Sequence, residues 1–195
     1  MDYIVTPKYR KSTYDRHIEQ ISKYNDDVKT LIIGNSIIER FNWFANKKFQ
    51  NNVLLLAKGG DTTNNLMYIL TFKENPSFQN ITKIYFNTGA NDINGKSDEI
   101  VINDILFVYD YLKKMSPKAI IKFIPLYHID GINPTIINFI NNGVKSKLKE
   151  DYLDGFWDTI LPNGYEKNKY EDHIHLNKES YDLFYNKLYA LIDKE

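Results

Sequence analysis

Three residues of this 195-residue chain have the types that a hydrolytic enzyme uses, namely Ser36, Asp172 and His175. A serine hydroxyl becomes a nucleophile when an imidazole removes its proton and a carboxylate orients that imidazole. Ser36 comes shortly after an apolar run, whereas Asp172 and His175 stand together near the end of the chain. Their separation of three residues lets the carboxylate reach Nδ1–H of His175 and leaves Nε2 for Ser36.

Each of these residues also has an ordinary interpretation. A serine at a strand-to-helix turn is commonly a helix N-cap, and the segment from Asp172 to His175 could be a solvated loop. His173 competes with His175 for the role of base. Asp172, His173 and His175 together could also indicate a metal site, but a His-X-His pattern without further ligands is weak evidence for one. We therefore expect no metal and no other cofactor.

Short apolar runs alternate with longer amphipathic segments along the chain. This alternation predicts an α/β protein with a parallel sheet of about five strands, covered by helices on both faces in three layers. We expect one domain, residues 1–195, in which residues 1–27 form an N-terminal extension with a helix. The predicted strands are 28–33, 52–56, 81–87, 119–125 and a short run near 152–157. The predicted helices are 14–24, 37–46, 62–73, 99–115, 133–149 and 178–192.

Polar and glycine-rich segments follow three of the predicted strands, where ligands bind in such sheets. Ser36 follows the first strand, Gly60 the second and Asn91 the third. Gly60 can offer its backbone N–H, and the Asn91 amide could point at a developing oxyanion. Gly60 could equally belong to a turn before a helix capped by Asp61 or Thr62, and Asn91 to an ordinary turn. Asp92, the next residue, is expected to brace its loop.

The composition excludes several classes of function. Lysine plus arginine equal aspartate plus glutamate at 25 each, so the basic excess of a nucleic-acid binder is missing. The chain has no cysteine, which excludes disulfides and thiolate metal sites. We see neither a signal peptide nor a run of ~20 apolar residues that could span a bilayer, and expect a cytoplasmic protein. The oligomeric state is left open.

Four short blocks, in this order, resemble those of the SGNH (GDSL-type) hydrolases. They are Gly34-Asn35-Ser36, Gly60 in Gly59-Gly60-Asp61-Thr62-Thr63, Gly89-Ala90-Asn91-Asp92, and Asp172-His173-Ile174-His175-Leu176-Asn177. The resemblance covers roughly residues 28 to 192. It implies a flavodoxin-like three-layer fold and ester hydrolysis without a metal.

The resemblance also implies roles for individual residues. Ser36 would be the nucleophile, His175 the general base and Asp172 its orienting carboxylate. The Ser36 N–H, the Gly60 N–H and the Asn91 side chain would form the oxyanion hole. Asn35 departs from the family pattern, which usually has aspartate there; asparagine keeps the shape and one acceptor but loses the charge.

The expected substrate is an ester with a short acyl group, because no long apolar lid is visible. By analogy with compact members of the family, we expect an acetyl ester of a carbohydrate or a small lipid-like ester. Trp43, Phe44 and Tyr127 could line such a site or belong to the core. The alternative is a catalytically weak or inactive binding module, for which Asn35 is the hint. A nucleotide or phosphate binder is disfavoured, because the Gly59-Gly60 segment lacks both glycine-rich phosphate motifs.

Overall fold

Four parallel strands form one sheet, in the order β2-β1-β3-β4. The strands are β1 (Thr30–Gly34), β2 (Val53–Ala57), β3 (Lys83–Phe86) and β4 (Ile120–Phe123). The structure is a computed structural model that describes residues 3–44, 52–73, 75–76 and 78–194, without the side chains of Trp43, Phe44 and Lys194. Residues Thr30 to Gly34 pair in register with Val53 to Ala57, so the carboxyl ends of β1 and β2 lie side by side.

Seven α-helices connect or cover these strands in the described ranges. They are α1 (Lys11–Ile21), α2 (Ser36–Glu39), α3 (Phe41–Phe44), α4 (Thr63–Leu70), α5 (Asp98–Met115), α6 (Pro134–Leu148) and α7 (Lys178–Lys194). Three short 3₁₀ turns cover Phe78–Asn80, Lys149–Asp151 and Lys167–Lys169. The predicted α/β class and parallel sheet are confirmed, and the strand order is the flavodoxin-like one.

The sheet has four strands where the sequence predicted about five. The fifth run is reduced to an isolated parallel bridge between Tyr152 and Phe123, with Leu153 N–H donating to the Phe123 carbonyl at 3.1 Å. The chain then turns, because Gly155 adopts φ +61° and Phe156 N–H bonds back to the Leu153 carbonyl. The turn ends the pairing after one residue.

The apolar side chains of the strands alternate between two cores, one on each face of the sheet. Leu31, Ile33 and Phe86 belong to the core that includes residues of α4, α5 and α6. Ile32 and Tyr85 belong to the core that includes residues of α2, α3 and α7. Strands buried on both faces explain the nearly continuous apolar runs of the sequence. The three-layer arrangement therefore follows from packing on both sides.

Two predicted helices differ from the observed ones. The helix predicted at 37–46 is divided into α2 and α3, because the Asn42 amide donates to the Glu39 carbonyl at 3.0 Å and satisfies the end of α2; positions 45 and 46 lie outside the described residues. The helix predicted at 14–24 begins three residues earlier. Its buried residues are the polar Thr13, His17 and Gln20, so an apolar pattern could not locate it.

Side-chain amides pair with backbone groups at both edges of the sheet. The Gln20 amide of α1 donates to the Ala57 carbonyl at 2.8 Å and accepts from the Ala57 N–H at 3.0 Å, at the end of edge strand β2. Beyond edge strand β4, the Asn141 amide of α6 makes the same pair of bonds with Leu126, at 2.7 and 3.1 Å. Each amide thus occupies the N–H and C=O of one residue.

Within the described residues, none of the helices has the length and the apolar composition of a membrane-spanning segment.

Candidate active site

Ser36 is the first residue of α2, directly after β1. Asn35 is the N-cap of this helix, because its Oδ1 accepts a hydrogen bond from the Ile37 N–H at 3.0 Å. The capping function expected as the ordinary role of Ser36 is therefore performed by Asn35, which is buried. This leaves the Ser36 hydroxyl free to contact the last segment of the chain. Its Oγ lies 2.8 Å from His175 Nε2.

His175 also contacts Asp172 through its other ring nitrogen. Nδ1 lies 2.8 Å from Asp172 Oδ2, and Asp172 Oδ1 accepts hydrogen bonds from the N–H groups of Ile174 and His175, both at 2.7 Å. With its proton on Nδ1, the imidazole donates to Asp172 and accepts from Ser36. The structure therefore brings Ser36, His175 and Asp172 into one hydrogen-bonded chain.

The carboxyl of Asp172 is held in its charged form. Burial raises its pKa, but hydrogen bonds from the His175 N–H, the His175 ring and the Ile174 N–H outweigh that effect and place the pKa well below its usual range. An ionised Asp172 can only accept hydrogen bonds. It therefore fixes the proton of neutral His175 on Nδ1 and leaves Nε2 as an acceptor toward Ser36.

Arg40 is a residue of this site that the sequence did not reveal. Its Nη2 lies 3.2 Å from Asp172 Oδ2, and its Nη1 lies 2.7 Å from Glu171 Oε2. Arg40 follows Ser36 by four residues, which is about one helical turn. Only 14% of its side chain is exposed. Arg40 thus ties the loop that carries Asp172 to the helix that carries Ser36.

His173 points away from Ser36. Its side chain is 82% exposed, and its Nδ1 lies 2.8 Å from Asp130 Oδ2. The hydrogen bond from His173 lowers the pKa of Asp130. Among the described residues, no three histidine or acidic side chains converge as a metal centre would require. Of the two histidines that competed for the role of base, only His175 contacts the serine.

The loop of residues 58–62, between β2 and α4, passes close to Ser36. We call it the β2–α4 loop. A Cβ at Gly59 would lie 3.6 Å from Ser36 Cβ, an ordinary contact, and 2.9 Å from Glu39 Oε2, so a larger residue would have to displace the Glu39 carboxylate. The buried Glu39 accepts the Gly59 N–H at 2.6 Å. Gly60 has φ +75°, and no described group accepts a hydrogen bond from its N–H. Glu39 and Gly59 were not singled out by the sequence.

Asn91 joins the β2–α4 loop to the segment after β3. Its Nδ2 donates to the carbonyl of Asp61 at 2.8 Å, which uses one of its two N–H groups. The other remains available to a ligand, and Asn91 lines the same small cavity as Ser36. The structure therefore places Gly60 and Asn91, the two residues expected to donate to an oxyanion, on connected loops beside Ser36.

Asp92 braces these loops, as the sequence predicted. Its Oδ2 accepts hydrogen bonds from the Thr63 N–H at 2.9 Å and the Thr63 hydroxyl at 3.0 Å, and Lys96 pairs with its Oδ1 at 2.6 Å. Thr62 is the N-cap residue of α4, and both its N–H and its hydroxyl donate to Asn65 Oδ1. The Asp61 side chain turns instead toward α1, where Thr13 Oγ1 donates to it.

A cavity of about 130 Å³ opens beside the serine. Its polar lining comprises Asn35, Ser36, Asn91 and Asn94, and its apolar lining comprises Ile37, Ala90, Ile129, Ile132 and Ile174. Tyr127, expected either at the site or in the core, is buried against Trp157 and donates its hydroxyl to the Ile174 carbonyl at 2.9 Å. The Trp43 and Phe44 side chains lie outside the described part.

Comparison with solved structures identifies proteins of the same fold. A protein from Streptococcus pneumonia, provisionally described as a platelet activating factor, has a TM-score of 0.74 at 16% identity, with 93% of each chain covered. A provisionally described acylhydrolase from Bacteroides fragilis has a TM-score of 0.70 at 18% identity, covering 96% of this chain and 99% of its own. A GDSL-like lipase from Bacteroides thetaiotaomicron also has 0.70, at 15% identity, covering 95% and 99%.

No family model matches the sequence, and no curated protein matches it. At identities of 15 to 18%, the similarity to these structures is one of fold. The chain resembles the SGNH (GDSL-type) hydrolases over nearly its whole length. The family resemblance seen in the sequence therefore extends to the three-dimensional fold.

Proposed function

We propose that the protein is a serine ester hydrolase of the SGNH type. The observation that carries this proposal is the chain of two 2.8 Å contacts from Ser36 Oγ through His175 to Asp172. Nucleophile, base and orienting carboxylate in this order are the arrangement that activates a serine. Solved structures of the same fold, described as a lipase and an acylhydrolase, support the same class of reaction.

In the first half of the reaction, His175 Nε2 removes the proton of Ser36 as its Oγ attacks the ester carbonyl. The carbonyl π pair moves onto oxygen and forms a tetrahedral oxyanion. When this intermediate collapses, the C–O bond to the alcohol breaks, and the leaving oxygen takes the proton from His175. The product of this half-reaction is an acyl group esterified to Ser36.

Water completes the cycle. His175, neutral again, removes a proton from the water that attacks the acyl-Ser36 carbonyl, and a second tetrahedral oxyanion forms. Collapse breaks the bond to Ser36 Oγ, which recovers its proton from His175, and the carboxylic acid leaves. Throughout, Asp172 remains ionised and stabilises the imidazolium without taking its proton.

Three N–H groups are positioned as donors to the oxyanion in this proposal: the backbone N–H groups of Ser36 and Gly60 and the second N–H of Asn91 Nδ2. The Gly60 N–H has no acceptor in the described structure, and Asn91 uses only one of its N–H groups within the protein. Donors already fixed before substrate arrives stabilise the developing charge without reorganisation. Each well-aligned donor of this kind lowers the barrier by roughly 3 kcal/mol.

The cavity beside Ser36 favours a short acyl group. Its volume of about 130 Å³ is similar to that of an engineered apolar cavity of about 150 Å³ that holds benzene. Its apolar wall suits the carbon chain of an acyl group, whereas a long lipid tail exceeds the space. We therefore propose an acetyl or similarly short ester as substrate, with a carbohydrate or a small lipid-like alcohol as the leaving group.

Acyl-chain length tests this substrate class. We expect p-nitrophenyl acetate to be hydrolysed with a kcat/KM at least about tenfold above that of the octanoate, because a chain too long for the cavity must displace its walls, and overpacking of this kind costs ~1–3 kcal/mol. Initial rates across acetate, butyrate, hexanoate and octanoate give the profile. A maximum at octanoate would refute the short-acyl assignment while leaving the hydrolase class intact.

Labelling with a fluorophosphonate probe tests the hydrolase class itself. The probe phosphonylates activated serines, so we expect one adduct, located on Ser36 by peptide mass spectrometry. A His175→Ala variant provides the control, since Ser36 is still present there but its base is missing. Protein that is folded by circular dichroism yet stays unlabelled would favour the non-catalytic binding module instead.

A further inference from the structure

The N-terminal extension packs against the end of β2 and the loop that follows it. Gln20 of α1 binds both backbone groups of Ala57, the last residue of β2. The Lys8 N–H donates to the Asn64 carbonyl at 3.0 Å, and the Asn65 amide donates to the Lys8 carbonyl at 2.9 Å. The extension therefore holds the chain on either side of the β2–α4 loop.

Arg10 contacts the middle of that loop. Its Nη1 donates to the Gly59 carbonyl at 3.1 Å and lies 3.3 Å from Asp61 Oδ1. A Cβ on Gly60 would lie 3.1 Å from the same Nη1, so the guanidinium covers one side of Gly60. Arg10 is 43% exposed, whereas Asp61 is buried.

The geometry of the peptide unit connects this contact to catalysis. The Gly59 carbonyl and the Gly60 N–H belong to one planar peptide group, which is trans. In a trans peptide the C=O and the N–H point in opposite directions, so a donor that holds the oxygen also aims the N–H. We infer that Arg10 is a positioning residue that orients the Gly60 N–H toward the oxyanion, an inference that rests on the proposed function.

The neighbours of Arg10 support this inference. Thr13 donates to the same oxygen of Asp61 that Arg10 approaches, and the other oxygen of that carboxyl has no partner among the described residues. Burial raises the pKa of Asp61 to about 6, against the effects of Thr13, Arg10 and Lys58, which lower it. Arg10 therefore helps to keep Asp61 ionised, and Asp61 in turn holds the guanidinium over the Gly59 carbonyl.

If Arg10 only stabilised the fold, its replacement would lower the melting temperature. A positioning role for Arg10 predicts a different result. Arg10 is itself 43% exposed, and Thr13 still donates to Asp61 when Arg10 is absent, so replacing Arg10 should change the melting temperature little. A misaimed Gly60 N–H weakens binding of the transition state more than binding of the ester. Loss of a positioning residue therefore lowers kcat and leaves KM nearly unchanged.

The test compares three variants with the wild-type protein on p-nitrophenyl acetate. Arg10→Ala removes the guanidinium, Arg10→Lys keeps the charge on a single donor nitrogen, and Lys11→Ala is the matched control. Lys11 pairs with Asp15 on the exposed side of α1 and has no contact with the loop. We expect Arg10→Ala to lower kcat about tenfold, less than the ~10²–10³-fold loss of a whole donor. Arg10→Lys should recover part of that loss, and Lys11→Ala should match the wild type.

The rate of fluorophosphonate labelling at Ser36 should fall in parallel with kcat, because the phosphonyl oxygen uses the same donors. Equal kcat in Arg10→Ala and Lys11→Ala would overturn the inference. A loss of kcat that Arg10→Lys does not relieve would also overturn it, as would a loss of kcat that accompanies a clear fall in melting temperature. Ser36→Ala, run alongside, separates the two proposals. If Ser36→Ala stays active the proposed function fails, whereas an inactive Ser36→Ala with unchanged Arg10→Ala removes only the role of Arg10.

Discussion

Replacement of Ser36 by alanine is expected to lower kcat for an aryl acetate by roughly 10⁴- to 10⁶-fold, to the background left by the donors alone. The reason is chemical, because no other hydroxyl group contacts His175 in the described structure. The fold should be unaffected. Asn35, not Ser36, caps α2, so we expect a stability change within about 0.5 kcal/mol, measured by thermal unfolding.

A double variant that lacks both Ser36 and His175 tests whether the triad acts as a unit. When the groups of a triad act as a unit, removing His175 as well as Ser36 should add little to the loss caused by Ser36→Ala. Activity is followed with p-nitrophenyl acetate at protein concentrations high enough to detect about one part in 10⁶ of the wild-type rate, the largest loss expected. Turnover near the wild-type level in Ser36→Ala would remove Ser36 from the mechanism.

Asparagine in place of Asp172 is expected to lower kcat by about 10³- to 10⁴-fold. Asp172 Oδ1 accepts the N–H groups of Ile174 and His175, so the amide oxygen of asparagine will stay at that position. The amide nitrogen then faces His175 Nδ1 and donates to it. This contact favours the tautomer with its proton on Nε2, which cannot accept the proton of Ser36.

His173→Ala is the control for the Asp172 variant, because it changes the same loop without touching Ser36. His173 is exposed and contacts Asp130, so this variant should retain the wild-type kcat. Because the pKa of Asp172 lies well below its usual range, the wild-type carboxylate is ionised at neutral pH, where both variants are compared with the wild type. An Asp172→Asn enzyme within threefold of wild type would contradict the orienting role.

The sequence predicted those elements whose signals are local. Apolar runs located the four strands within a few residues, and helical periodicity located α5, α6 and α7 almost to their ends. The alternation of strands and helices then implied that the segments after β1, β2 and β3 share one edge of the sheet. Ser36, Gly60 and Asn91 were therefore predicted to lie together from the sequence alone.

The remaining features depend on contacts between residues far apart in the chain. Arg40 reaches Asp172 across 132 positions, and Arg10 reaches Gly59 across 49, so neither contact has a periodic signature. The buried face of α1 is polar because its partners are the Ala57 backbone and the Asp61 carboxyl. A pattern of apolar residues cannot reveal a helix that packs through hydrogen bonds, which is why its beginning was misplaced.

The paired amides at the two margins of the sheet have a consequence for how the molecule meets other chains. Unpaired N–H and C=O groups on an edge strand are a template on which a foreign strand can grow. Gln20 occupies these groups at Ala57, the last residue of β2, and Asn141 occupies those of Leu126, three residues after the end of β4. At these two positions, beside the loops that must stay open to substrate, a foreign strand finds no free backbone N–H and C=O to pair with.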